Sequence, residues 1–353
     1  MDKPSAASVN GHRIRKSLCV CITVLMATGN ADYASAEQDH SAKDLDGRFS
    51  TLYEPSGIAP LPDGRFLVVE DEPKRALRLV SFETSDNDAS IRETDLALPG
   101  SLTERLSIGT LDDLEGSAHD QSGRIYIVTS HDDSAPHWVS KRQKLLRFSV
   151  EDGRMHDVAR SLTLRQDLLN TFPQLDANPS KKGKSESLGM NIEGLAYDRR
   201  RDVLLIGFRS PVLEGNAIIV SLMNPDAYLS GNASPVLSKS LWSVALDKGG
   251  LRAMSYDDAS DQLLLVSRRE NHKNDDYKLW RLAADGKTPA MQIELGDKEK
   301  MMQNVEGLAP ITLDSQAHPA LLLVRDNGNR KKGQGGKWFI VSRTELGLDA
   351  DLH

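Results

Sequence analysis

Cysteine is the first absence. The chain has two, Cys19 and Cys21, both in an apolar run near its start, and none after that. A protein that loses this run has no disulfide, no thiol nucleophile and no thiolate metal site. Aromatic residues are scarce, at 5%, and no apolar stretch is long enough to span a bilayer comfortably. A surplus of positive charge is also missing. The 44 basic and 51 acidic residues leave a net charge of −7, so a nucleic-acid partner is set aside, because phosphate neutralisation needs clustered cations. The G-x-S-x-G elbow, the H-E-x-x-H helix and the phosphate-cradling P-loop are all absent, which removes three common routes to hydrolysis.

The N-terminus reads as a targeting segment. "HRIRKSLCVCITVLMATG" is a basic stretch followed by a short apolar one, and "ADYASA" supplies small residues for cleavage after Ala36. Residues 1–36 are expected to be a signal peptide, with an uncleaved anchor or a start codon upstream of the true one as alternatives. The cysteines precede the place a lipidation site needs, so a lipid anchor is not expected. Removing four basic and two acidic residues takes the net charge from −7 to about −9. Residues 37–353 are expected to form one domain, periplasmic or secreted, monomeric and without a membrane span.

What is present is a repeat. Five related segments begin at Ser56, Glu115, Glu193, Arg252 and Glu306, including "EGSAHDQSGRIYIVTSHDD" and "EGLAYDRRRDVLLIGFRSP"; their spacings are 59, 78, 59 and 54 residues. Such a period marks an array of similar units. Each unit holds a small apolar run, a turn rich in Asp, Ser and Gly, and a β-branched run such as "FLVVE" or "IYIVT". A third run follows, and a weaker fourth. Four antiparallel strands repeated around an axis define an all-β fold, a β-propeller.

Five blades are expected. The last unit ends after its third strand, near Arg343, and "RFSTLYE" (Arg48 to Glu54) has no unit of its own. The economical closure pairs this N-terminal run with the strand at 337–343, which removes exposed sheet edges. Six blades remain possible if the 78-residue interval hides one. The preferred reading of that interval is an insertion at about 162–190. "SLTLRQDLLNTFPQ" has helical spacing and a polar loop follows it; the segment is expected to lie over the channel mouth.

Propeller topology brings the head of each first strand and the end of each second strand to one mouth of the channel. Residues two apart on a strand share a side, giving the pairs Glu54 with Ser56, Asp113 with Glu115, Asn191 with Glu193, Gly250 with Arg252, and Asn304 with Glu306. Several carboxylates facing one channel need positive charge among them. Two sources are open: a hard cation such as Ca2+, or Arg252, which replaces glutamate in the fourth repeat. The candidate metal ligands are Asp113, Glu115, Asn191, Glu193, Asn304 and Glu306. Arg209, Arg268, Arg325 and Asp326 are candidates for holding an anionic substrate. His131, Asp132 and Arg252 are candidates for catalysis; His137 shares the His131 loop, and His119 reads as a channel-lining residue. The E-G pair also has a packing reading, with glycine allowing close approach near the axis.

"LEGSAHD", "NIEGLAYD" and "NVEGLAP", each followed by an apolar strand and a polar loop, resemble an uncharacterised secreted propeller family. That family is similar in turn to the esterase-like phytase and SdiA-regulated propellers. The resemblance implies a propeller, calcium near the channel and phosphoester hydrolysis. Glu115, Glu193 and Glu306 match its E-G pattern; Ser56 and Arg252 depart from it. Two functions stand side by side: a calcium-assisted hydrolase of small phosphoester or ester substrates, and a non-catalytic propeller binding a small anion or a protein.

Overall fold

Strands packed between two neighbouring sheets read as unbroken apolar runs, and the second run of each repeat does so. The computed structural model describes residues 45–71, 77–85, 88–132, 139–176, 189–269, 276–313 and 318–348, all within one compact unit, Ser41–His353. A short strand, β1 (Leu45–Arg48), comes first. Blade 1 is β2 (Pro55–Pro60), β3 (Phe66–Glu70), β4 (Leu77–Ser85) and β5 (Asp88–Asp95). Blade 2 is β6 (Leu114–His119), β7 (Ile125–Thr129), β8 (Leu145–Glu151) and β9 (Arg154–Ser161). Blade 3 is β10 (Asn191–Asp198), β11 (Val203–Leu213), β12 (Asn216–Leu222) and β13 (Trp242–Val244). Blade 4 is β14 (Gly250–Asp257), β15 (Gln262–Arg268), β16 (Tyr277–Ala283) and β17 (Met291–Ile293). Blade 5 is β18 (Val305–Leu313), β19 (His318–Arg325) and β20 (Lys337–Ser342), with β1 as its outermost strand.

All pairings within the blades are antiparallel, and the first strands β2, β6, β10, β14 and β18 contact one another in a closed ring. Five apolar cores fill the five seams. Leu67 and Val69 meet Leu114 and Ile127 between blades 1 and 2, for example, and Val68 meets Leu322 and Ile340 between blades 5 and 1. This is a five-bladed β-propeller.

Closure is made by the N-terminal strand, but by an earlier part of it than the apolar pattern suggests. Leu45 pairs with Ile340, Gly47 with Trp338 and Arg48 with Lys337. The Trp338 ring covers Gly47 so closely that an added Cβ would run into it, and it packs edge-on against Phe82 at 5.2 Å. Residues 49–54 leave the sheet. Phe49 and Leu52, three apart, are both buried, a spacing a strand does not offer. The Glu93 carboxylate accepts from Ser50 Oγ and Thr51 N, each at 2.9 Å, and fixes the bend.

The long interval between blades 2 and 3 holds a helix, as its spacing predicts. In order of the chain, the described helices are α1 (Leu102–Ile108), α2 (Val139–Arg142), α3 (Leu164–Thr171) and α4 (Pro225–Leu229). Among the described residues no helix is long and apolar enough to cross a membrane. Leu164 and Leu168 of α3, with Phe172 and Leu175 after it, are buried in the core between blades 2 and 3. Arg165 Nη1 donates to His131 O at 2.7 Å, just past the end of β7, so the helix sits at the mouth end of that seam. Of the segment 162–190 expected to lie over the mouth, residues 177–188 lie outside the described residues, as do residues 1–36 and His137.

Candidate functional site

The position of the repeated E-G pair falls on a β-bulge in every blade. Pairing jumps from Pro55 to Gly57, Leu114 to Gly116, Ile192 to Gly194, Leu251 to Ala253 and Val305 to Gly307. The skipped residues are Ser56, Glu115, Glu193, Arg252 and Glu306. A bulged residue leaves the pleat's alternation and is re-aimed by the local twist, so five equivalent side chains turn toward one channel. The following residue packs against the next first strand: a Cβ on Gly116 would lie 2.9 Å from Leu195 Cβ, and one on Gly307 would lie 3.1 Å from Gly57 Cα. Glycine therefore crowds the first strands together, and the cavity left among them is only about 10 Å3. That volume admits a single water-sized sphere.

Two electrostatic groups share the mouth. The first is an ion-paired triad. Arg252 Nη1 lies 3.0 Å from Glu193 Oε1 and 2.9 Å from Oε2, while its Nη2 donates to Glu306 Oε1. Arg209 Nη1 adds a bond to Glu193 Oε1 at 2.8 Å. Burial lifts the Glu193 carboxyl to about 6 against the pull of both arginines. Ser56, in the same position of blade 1, has no charge to place and donates to Leu114 O of blade 2.

The second group is a carboxylate cluster. Asp71, just past β3, Asp113, just before β6, and Glu115 on the β6 bulge bring carboxylate oxygens within 4.8 Å of one another. Backbone bonds hold this arrangement: Asp71 N donates to Glu54 O at 3.2 Å, Asp113 N to Asp71 O at 3.1 Å, and Ser130 N to Asp113 O at 2.9 Å. Asp113 takes a left-handed conformation, φ 60°, which aspartate tolerates better than most residues. Its Oδ2 accepts from Ser130 Oγ and lies 3.2 Å from Arg142 Nη1. Among the described residues no hydrogen bond or ion pair reaches the Glu115 carboxylate. Burial, followed by the negative charges of Glu193, Asp71 and Asp113, pushes its pKa well up. Burial and Asp113 raise Asp71 to about 8, and burial with Glu306 and Glu54 raises Asp326 to about 7.

The expected site residues therefore divide. Asp113 and Glu115 join the cluster, together with Asp71, which the second-strand ends place at the mouth but not among the expected ligands. Glu193 and Glu306 belong to the arginine triad. Asn304 Oδ1 accepts from Tyr277 Oη at 3.2 Å, and Asn191 Oδ1 is buried without a hydrogen-bond partner. Arg209 is held by Glu193; the Arg268 guanidinium stacks 5.4 Å from the Tyr277 ring and that of Arg325 5.4 Å from the Phe339 ring. Asp326 stands just past the end of β19 on the same mouth, its N–H donating to Asn304 O at 2.9 Å.

His131 is fully buried, its Nδ1 2.8 Å from Thr129 O, and burial lowers its pKa to about 4. Asp132 follows it, also buried, its N–H donating to Ser130 Oγ at 3.1 Å. His119 ends β6 at the opposite end of the channel, beside a bowl of about 550 Å3 walled by Pro60, Pro62, Arg199 and Asp258. Its Nε2 lies 2.8 Å from Arg199 Nη1, and burial lowers its pKa to about 4.

Fold and mouth define a five-bladed propeller with a carboxylate-rich channel end. Residues 123–339 match the family described as Protein of unknown function (DUF3616), and the chain belongs to that family. No curated protein matches it. Among solved structures, it is similar to the calcium structure of a Trichoderma reesei Carbohydrate-Active Enzymes Family AA12 protein, at 9% identity and TM-score 0.44, over 85% of this chain and 95% of that one. It is also similar to a putative oxidoreductase (glucose dehydrogenase) from Thermus thermophilus, at 12% identity and TM-score 0.36, over 84% and 99%. A streptogramin B lyase matches at 11% identity and TM-score 0.33, over 81% and 71%.

Proposed function

We propose that the protein is a calcium-dependent hydrolase of small phosphoester or ester substrates, acting at the channel mouth. The observation that carries this reading is the convergence of Asp71, Asp113 and Glu115 within 4.8 Å. Three carboxylates at that separation need either protons or a cation, and hard oxygen donors suit Ca2+. Glu115 fits the role best, because among the described residues no hydrogen bond or ion pair reaches its carboxylate and the charges nearest it are mostly negative. Asp71 and Asp113 would complete a three-carboxylate face, leaving the solvent side for water and substrate. A bound cation supplies polarisation of a substrate oxygen or of a water.

The chain's own residues do the rest. Arg252 and Arg209 hold Glu193 in place, so the mouth keeps its shape as charge changes nearby. Asp326, with a pKa of about 7, is able to give or take a proton at neutral pH, which suits general acid–base work. The E-G pattern's resemblance to a propeller family similar in turn to the esterase-like phytases favours phosphoesters among substrates. A periplasmic or secreted location, read from residues 1–36, suits a weak calcium site, since extracellular modules work at about 10⁻⁴–10⁻³ M.

The second reading is a non-catalytic binding propeller. The small cavity beneath the bulges favours it, because a ligand larger than one water must stay on the mouth surface. One experiment separates the two: purified protein, with calcium or with chelator, against phosphomonoester, phosphodiester, carboxylester and lactone substrates. Calcium-dependent turnover lost in Glu115→Gln supports the hydrolase. Calcium binding without turnover on any substrate overturns it and leaves the binding propeller.

A further inference from the structure

The seam between blades 4 and 5 carries positive charge that the acidic mouth does not neutralise. Arg325 at the end of β19 stands opposite Lys337 at the start of β20, and Lys337 stands opposite Arg48 at the end of β1. Directly opposed residues on antiparallel strands put their side chains on one face. That face is turned to blade 4, because Phe339, two residues along from Lys337, shares a core with Tyr277 and Leu279. The Lys337 ammonium lies 5.8 Å from the Phe339 ring that also carries Arg325. From blade 4, Arg268 stacks on Tyr277 at 5.4 Å.

Among the described residues no carboxylate pairs with any of these four cations. Arg325 is only 7% exposed, yet its guanidinium makes neither an ion pair nor a hydrogen bond there. The Nε of Arg325 and that of Arg268 are buried donors without a partner. The Arg48 guanidinium donates only to a neutral carbonyl, Gly335 O, at 2.7 Å. A buried guanidinium without a counter-charge is costly, and buried charges are ordinarily paired. Burial and the neighbouring Arg48 hold the Arg325 pKa below its ordinary value.

We propose that this seam is a binding site for a phosphate-type oxyanion, free or carried on a small molecule, held by Arg325, Lys337, Arg268 and Arg48. Four cations favour a multiply charged anion over a single carboxylate, and guanidinium forks match phosphate oxygens in pairs. The site goes beyond the proposed hydrolase, since it needs neither the metal nor turnover.

The test uses the full protein in chelator, so that a failure of the calcium reading does not touch it. Inorganic phosphate and glycerol phosphate are titrated at constant ionic strength, and melting temperature and binding heat are read against chloride. The wild type is expected to show a saturable rise in melting temperature. Arg325→Met should weaken binding by about tenfold or more without lowering the melting temperature in chloride, because it removes an unpaired buried charge. Lys337→Gln, at the half-buried rim, should weaken binding about three- to tenfold and decides the matter if the first variant does not fold. Tighter binding of glycerol phosphate supports a carried phosphate, and equal binding supports the free ion. A wild type indifferent to both, a response kept by both variants, or an adventitious response equal in chloride overturns the site.

Discussion

Arg252→Met is the sharpest perturbation of the mouth. The substitution keeps an unbranched apolar stem and removes the guanidinium shared by Glu193 and Glu306. Glu193 retains Arg209 at 2.8 Å, so the loss falls mainly on Glu306, whose side chain is 11% exposed. Breaking a buried pair costs about 3–5 kcal/mol. Proton uptake sets a ceiling on that cost. Protonating an ordinary glutamate, with a pKa of about 4.3, requires about 3.7 kcal/mol at pH 7 and about 1 kcal/mol at pH 5. The expected destabilisation is therefore about 3 kcal/mol at pH 7, shrinking to about 1 kcal/mol at pH 5. The sign follows from linkage: the variant's folded state holds a proton that its unfolded state releases, so its stability falls as pH rises. Urea unfolding of both proteins at the two pH values, in chelator, measures it. Adding Glu306→Gln to the variant should recover most of the loss at pH 7. An equal cost at both pH values, or no recovery in the double variant, refutes the reasoning.

Calcium should raise the melting temperature of the wild type and of Arg252→Met but leave Glu115→Gln unmoved, because a ligand stabilises only the folded state that binds it; differential scanning calorimetry across a calcium series checks this. Without calcium, stability should fall as pH rises from about 4 to about 8, since Asp71 and Asp326, raised to about 8 and about 7, keep protons in the fold that the unfolded chain releases near pH 4. Calcium affinity should rise over the same window with release of protons, and calorimetry in buffers of different ionisation heat would expose a flat profile. Gly47→Val should destabilise by about 2 kcal/mol or more, because its side chain must displace the buried Trp338 ring; near-UV circular dichroism would show the loss of tryptophan packing.

The fold was legible because it is repeated. Five copies of one strand pattern reinforced each other, and the orphan run before Ser56 pointed to the closing strand. Its exact register was not legible: the bend at 49–54 depends on Glu93, a residue of another blade. At the mouth, the equivalence of Ser56, Glu115, Glu193, Arg252 and Glu306 was visible, but not the bulge that aims them, since a bulge is a property of two paired strands. Asp71 was harder still. It stands just past the return strand of blade 1, as Asp326 does in blade 5, which puts it at the mouth, but only the closed ring brings its carboxylate to Glu115. That no carboxylate among the described residues pairs with Arg325 is a property of the packed seam and has no signature in the chain.

The pairing of Leu45 with Ile340 has a consequence for assembly. Among the described strands, blade 5 alone joins both ends of the domain, so β1, the first of them, must wait for β20, the last, before it finds a partner. Until β20 appears, β1 offers an unpaired edge and the ring stands open. The domain therefore reaches its final form in a long-range step of the kind that slows folding. The same adjacency makes the ends neighbours in space, so joining them and cutting between two other blades would turn that late step into a local hairpin.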